Sequence, residues 1–252
     1  MATVDVPARS PQAHRRRAAA VVAAGALPPA AVLGLIALVV APWAAAVVFV
    51  VVAVALGGYI WTAAPRRALS ALGGRPADPR RHARLFNLVE GLGAAAGVPQ
   101  PALVVIESPA LNAVAVGRDP RHATLAVTTG LLGTLGRVEL EAVVAEALVR
   151  IKRRDTLAPT LAVAAGPLGR LAVATPAPDT AADLEAVAVT RYPPGLAAAL
   201  ESMAAGGTAV PGSPPALAGL WLANPAPAGP GPASDRLRRS PLPERVQALR
   251  EL

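Results

Sequence analysis

Three histidines, His14, His82 and His122, are the chain's only imidazoles, and cysteine is absent. No two of them stand three or four residues apart, the spacing at which one helix face grips a metal ion with two side chains. Without cysteine, disulfides and thiolate metal sites are excluded. A lone histidine is usually a solvated side chain, and His14 in a basic tail, His82 at a helix start and His122 in a turn are read that way. The residues best spaced to act together are Glu146 and Arg150, an acid four residues before a base on a predicted helix. That is the favourable order for a helix-face ion pair.

The helix that would carry them is expected over 137–153, where Leu140, Val143, Val144, Leu148 and Ile151 form a buried stripe. Before it, Leu85, Leu88, Val89 and Leu92 predict a helix from His82 to Ala96. Residues 102–106, 112–116 and 124–128 read as short strands, with Asp119-Pro120 marking the turn between the last two. Residues 157–169 are apolar but too short to cross a bilayer, so they fit a core-packed or membrane-surface segment. Residues 183–203 form a helix broken near Pro193-Pro194, and 243–252 a terminal helix burying Val246 and Leu249. Residues 206–234 are rich in Pro, Gly and Ala and are expected to be a flexible loop, with Leu217–Leu222 able to dock.

Composition adds a membrane. Hydrophobic residues make up 54% of the 252 and charged residues 16%. No charge occurs between Arg17 and Arg66, a stretch that as helix would run about 72 Å. A hydrocarbon core is roughly 30 Å thick, so the stretch fits two crossings. The first is expected over 18–40 and the second over 44–61, turning at Pro42-Trp43, with Pro28 and Pro29 kinking the first. The expected organisation is a basic tail over 1–17, a transmembrane hairpin over 18–64, a connector from 68 to 79, and one α+β domain with a small sheet over 68–252. Arg15–Arg17 before the hairpin and Arg66-Arg67 after it place both flanks, and the bulk of the chain, in the cytoplasm of a multi-pass cell-membrane protein. The net charge of +8 is almost all arginine, and aromatics are 3%, which argues against nucleic acid as the partner. The bilayer is the partner the composition supports.

The text from Asn112 to Leu157 resembles the HtpX-type membrane zinc metallopeptidases, relatives of the CAAX prenyl protease. Members carry Asn-Ala-x-Ala-x-Gly on a strand, Thr-Thr-Gly-Leu at a turn, then a helix ending in His-Glu-x-x-His with Arg-Asp after it. Asn112, Ala113, Ala115, Gly117, Thr128, Thr129, Gly130, Leu131, Glu141, Arg154 and Asp155 match that pattern. Residues 189–196 and the closing Pro241–Val246 are also similar to family text. The resemblance implies a zinc site, but the zinc positions do not match. Glu146 stands at the first His position, Ala147 at the catalytic base, Arg150 at the second His, and Asp179 at the third ligand. Zinc, the family's cofactor, is therefore not expected, and no residue here is assigned a catalytic role. Arg150 is expected to lie between Glu146 and Asp179 in the cation's place. The resemblance also makes Asn112, Ala113 and Val114 a candidate substrate-edge strand, able to take a peptide by strand addition. The expected function is an inactive homologue with a binding or regulatory role towards a membrane or peptide partner. The alternatives are an active membrane metalloendopeptidase with atypical ligands and a decaying gene product.

Overall fold

The computed structural model describes residues 11–40, 42–173, 179–225 and 239–252. Two long helices lead: α1, Pro11–Val40, and α2, Ala45–Leu72, joined through a short 3-10 turn at Pro42–Ala44. At 1.5 Å per residue they run about 45 and 42 Å, longer than a hydrocarbon core of roughly 30 Å. Their far halves expose large apolar side chains, among them Leu35, Val39, Trp43, Val47 and Val54. Exposed apolar surface on that scale is stable in lipid and costly in water.

Both helices extend beyond the spans expected for them. The tail expected over 1–17 is helical from Pro11 onward. Pro28 and Pro29 sit inside α1 without ending it, as neighbouring helices permit in lipid. α2 continues eleven residues past Trp61, through Pro65, so the first part of the expected 68–79 connector is helix. Gly73 ends it in the left-handed region, φ 65°, with its N–H on Ser70 O.

The rest is an α+β unit. β1 (Arg75–Pro76), β2 (Ala102–Ile106), β3 (Ala113–Gly117) and β4 (Ala123–Thr128) form one sheet in the order β1-β2-β4-β3. β2 and β4 are parallel; the other pairs are antiparallel. α3 (Ala83–Ala96) lies between β1 and β2 in the chain, and α4 (Thr129–Thr134) and α5 (Arg137–Arg153) follow β4. Next come α6 (Leu157–Ala164), α7 (Gly166–Leu171), α8 (Asp179–Thr190), α9 (Pro193–Gly206), a 3-10 turn at Pro215–Leu220, and α10 (Leu242–Arg250).

Side chains alternate across the sheet with period two. Ala113, Ala115, Leu125 and Val127 join the core with α3 and α5. Val114, Val116 and Ala126 face the other way, onto Leu72, Leu217 and Trp221. A third cluster, with Val21, Ala26, Ile60, Ala64 and Leu161, ties the hairpin to α6. It is close-packed: a Cβ on Gly25 would stand 2.8 Å from Ala165 Cβ and 2.9 Å from Ile60 Cδ1.

The loop expected to be flexible over 206–234 is built in from Gly207 to Pro225. Trp221 is fully buried and its indole N–H donates to Ser213 Oγ at 2.7 Å. Burial of the ring outweighs the entropy cost that Pro, Gly and Ala content alone suggests. Residues 226–234 lie outside the described residues.

Candidate functional site

Glu146 and Arg150 sit one turn apart on the inner face of α5 and are both buried. Arg239, just ahead of α10, donates to Glu146 Oε1 at 2.7 Å. Arg150 Nη1 and Arg245 Nη2 each lie 3.9 Å from the same oxygen. Arg245, on α10, makes a two-pronged contact with Asp183 of α8: Nε to Oδ2 at 2.8 Å and Nη2 to Oδ1 at 2.6 Å. The planar guanidinium fork matches a carboxylate in this way. Burial pushes the Glu146 carboxyl above the usual carboxylate range, and the charges of Arg150 and Arg245 pull it back only in part.

One backbone segment threads this cluster. Arg150 Nη2 donates to Gly219 O at 2.8 Å and its Nη1 to Leu220 O at 3.4 Å. Arg239 Nη1 donates to Trp221 O at 3.1 Å, and Arg245 Nη1 to Leu222 O at 2.6 Å. On its other side the segment pairs with β3: Trp221 bridges Val114, and Leu222 N donates to Ala113 O at 2.7 Å. Residues 219–223 therefore lie between the outer edge of the sheet and the face of α5 that carries Glu146.

Asn112 fastens the same segment. Its Nδ2 donates to Thr208 O and Ala223 O, both at 2.9 Å, and its Oδ1 accepts from Ala113 N at 3.0 Å and Ala223 N at 3.2 Å. Asn112, Ala113 and Val114 are all buried. The strand read as an open edge for peptide is thus covered by the chain's own residues 221–223.

Beyond Arg150 the chain turns sharply. Arg154 takes the left-handed conformation, φ 60°, and caps α5 through its N–H. That turn brings Asp155 beside Arg153, 3.1 Å away, and beside His14 of α1, whose Nε2 is 2.9 Å from Asp155 Oδ1. His14, expected to be solvated, is buried. Burial would raise the Asp155 pKa, but the His14 hydrogen bond and the charges of Arg150 and Arg153 outweigh it and hold the carboxyl below its usual range.

Of the expected bridge of Arg150 between Glu146 and Asp179, the Glu146 side stands at ion-pair distance, 3.9 Å. Arg150 spends its Nη groups on carbonyls, and the closest guanidinium to Glu146 belongs to Arg239. The Asp179 side chain lies outside the described residues. Arg239 was not legible as a site residue. Arg245 stood in the recognised closing motif, Pro241–Val246, which was the available signal. Among the described residues, no three His, Asp or Glu side chains converge as a metal-binding group.

Known proteins agree with this architecture. Residues 79–210 match the model of peptidase family M48. A protease HtpX homolog of Caldanaerobacter subterraneus subsp. tengcongensis is 44% identical over 112 residues, 43% of this chain and 38% of the relative. One of Acidiphilium cryptum is 44% identical over 107 residues, 42% of this chain and 37% of the relative. One of Dictyoglomus thermophilum is 33% identical over 204 residues, 62% of this chain and 67% of the relative. The chain spans less than two-fifths of the length of the first two and about two thirds of the third. With the two apolar helices and the α+β unit behind them, the chain is an HtpX-like, membrane-anchored member of peptidase family M48.

Proposed function

We propose that this chain is a non-hydrolytic member of its family, a two-span membrane protein whose remaining bulk lies in the cytoplasm and serves a binding or regulatory role. The observation that carries the reading is the 2.7 Å bond from Arg239 to Glu146, at the position where the family resemblance puts a zinc-binding histidine. The donor set does not suit zinc. A guanidinium stays protonated and has no lone pair to offer, so Arg150 is no ligand. Three guanidiniums within 4 Å of Glu146 Oε1 repel a dication. Ala147, at the base position, has a methyl group and cannot accept a proton from water.

The covered edge of β3 supports the same reading. A peptide adding to Ala113 and Val114 would have to displace Trp221 and Leu222 and break the bonds that Asn112 makes to Ala223. The cluster then holds 219–223 in the place an extended substrate would need.

The decisive experiment is metal content and casein cleavage of the full chain purified in detergent. The expected result is zinc far below one ion per chain and no cleavage above a heat-treated control. Stoichiometric zinc would overturn the metal-free reading, and hydrolysis that a chelator stops and added zinc restores would establish an active metalloendopeptidase with atypical ligands instead.

A further inference from the structure

A groove of about 970 Å³ opens where α1 and α2 emerge beside the β3–β4 turn. Its rim carries Arg15 of α1, Arg118 and Arg121 of the turn, and Arg154 at the end of α5. Apolar side chains line it too, Val22 of α1 and Trp61 of α2. Arg118 and His122 also line a neighbouring groove of about 640 Å³ with Arg66 and Arg67 of α2, so the basic rim continues around the hairpin.

Three features make this more than a charged surface. First, among the described residues no carboxylate lies within ion-pair distance of Arg15, Arg121 or Arg154. The one acid on the rim, Asp119, is taken by the turn itself: Oδ1 accepts from the backbone N–H of Arg121 at 2.9 Å and of His122 at 3.0 Å, and the His122 ring lies 2.9 Å away. Second, the polarity is graded. Arginines stand at the end of the hairpin where charge begins, and Val22 and Trp61 stand further along the helices, on the apolar side. Third, the level is right. The helices exceed a hydrocarbon core by more than 10 Å, and an indole such as that of Trp61 settles at the headgroup boundary.

We propose that this groove binds an anionic phospholipid of the adjoining leaflet, its phosphate held by Arg15, Arg121 and Arg154 and its first acyl carbons laid against Val22 and Trp61. Arginine suits phosphate because its fork can bond two oxygens at once. The site is independent of the zinc chemistry and rests on the hairpin lying in a bilayer.

The test uses the full chain in neutral detergent, titrated with phosphatidylglycerol, with phosphatidylcholine of the same acyl chains, and with soluble glycerol 3-phosphate, and read by native mass spectrometry. Phosphatidylglycerol is expected to bind about tenfold more tightly than phosphatidylcholine, and R121Q/R154N to lose that preference. Asn at 154 keeps the left-handed backbone accessible. R80Q/R81Q removes the same charge from an exposed turn outside the groove and is expected to change nothing. Equal binding of the two lipids, an unchanged R121Q/R154N, or an equal loss in R80Q/R81Q would overturn the site. Glycerol 3-phosphate binding as tightly as the lipid would overturn the lipid as occupant.

Discussion

Glu146 and Asn112 are buried polar side chains on opposite sides of the same backbone segment, and they stabilise it by different physics. Asn112 is neutral, and both its amide hydrogens and its oxygen are matched by backbone partners at 2.9–3.2 Å. Glu146 is a carboxyl in a charged cluster, and the match there is incomplete: Arg150 Nε is buried with no hydrogen-bond partner. A satisfied neutral network holds its shape at little electrostatic cost. A buried ionic one holds only while every charge keeps its partner, because desolvation offsets much of the attraction.

The largest expected effect follows from that difference. Glu146→Ala takes the 2.7 Å acceptor from a fully buried guanidinium and should cost about 3–5 kcal/mol of unfolding free energy. Glu146→Gln keeps an oxygen for Arg239 and should cost clearly less. Denaturant unfolding of the full chain in detergent measures both. Equal losses would mean that the charge at Glu146 carries the whole effect and that its hydrogen bond to Arg239 adds nothing.

Asn112→Ala should come next, at about 2–4 kcal/mol, since it strands the backbone groups of Ala113, Thr208 and Ala223. It should also loosen 219–223 from β3, so amide exchange at Leu222 should rise more than at Leu125 in β4. A loss greater than that of Glu146→Ala would reverse the ranking of the two centres.

The sequence made some of this legible and hid the rest for physical reasons. α3 and α5 carry continuous apolar stripes, and their ends fall within a residue of expectation. β3 and β4 shift by one residue from it. Chain neighbours set those signals. The course of 219–223 was hidden because it depends on Trp221 and Leu217 finding a core made by α2 and the sheet. Arg239 was hidden because its partner lies 93 residues away. The resemblance puts its zinc positions at Glu146, Ala147 and Arg150, while the other arginines gathered around Glu146 were not legible there. α2 runs past its expected end at residue 61 because the helix continues through Pro65 and packs Ala64, Ala68 and Leu72 against the rest of the fold.

The smallest effect separates a third region from the other two. Asp155 joins the ionic centre to the hairpin through His14, and its pKa in the fold is below its unfolded value of about 3.9. A depressed carboxylate contributes stability that is present above the unfolded pKa and is lost as pH falls through the folded one. Wild-type stability should therefore fall as pH drops from about 5 toward 3, and Asp155→Asn should flatten that slope. At neutral pH the substitution should cost about 1.5–3 kcal/mol, as expected for a hydrogen bond to a charged group. His14→Ala should remove part of the same slope without touching the bonds at Glu146. If His14→Ala leaves the acid slope unchanged, the arginines alone hold Asp155 ionised, and the hairpin is fastened to the domain by the apolar packing of α6 rather than by this contact.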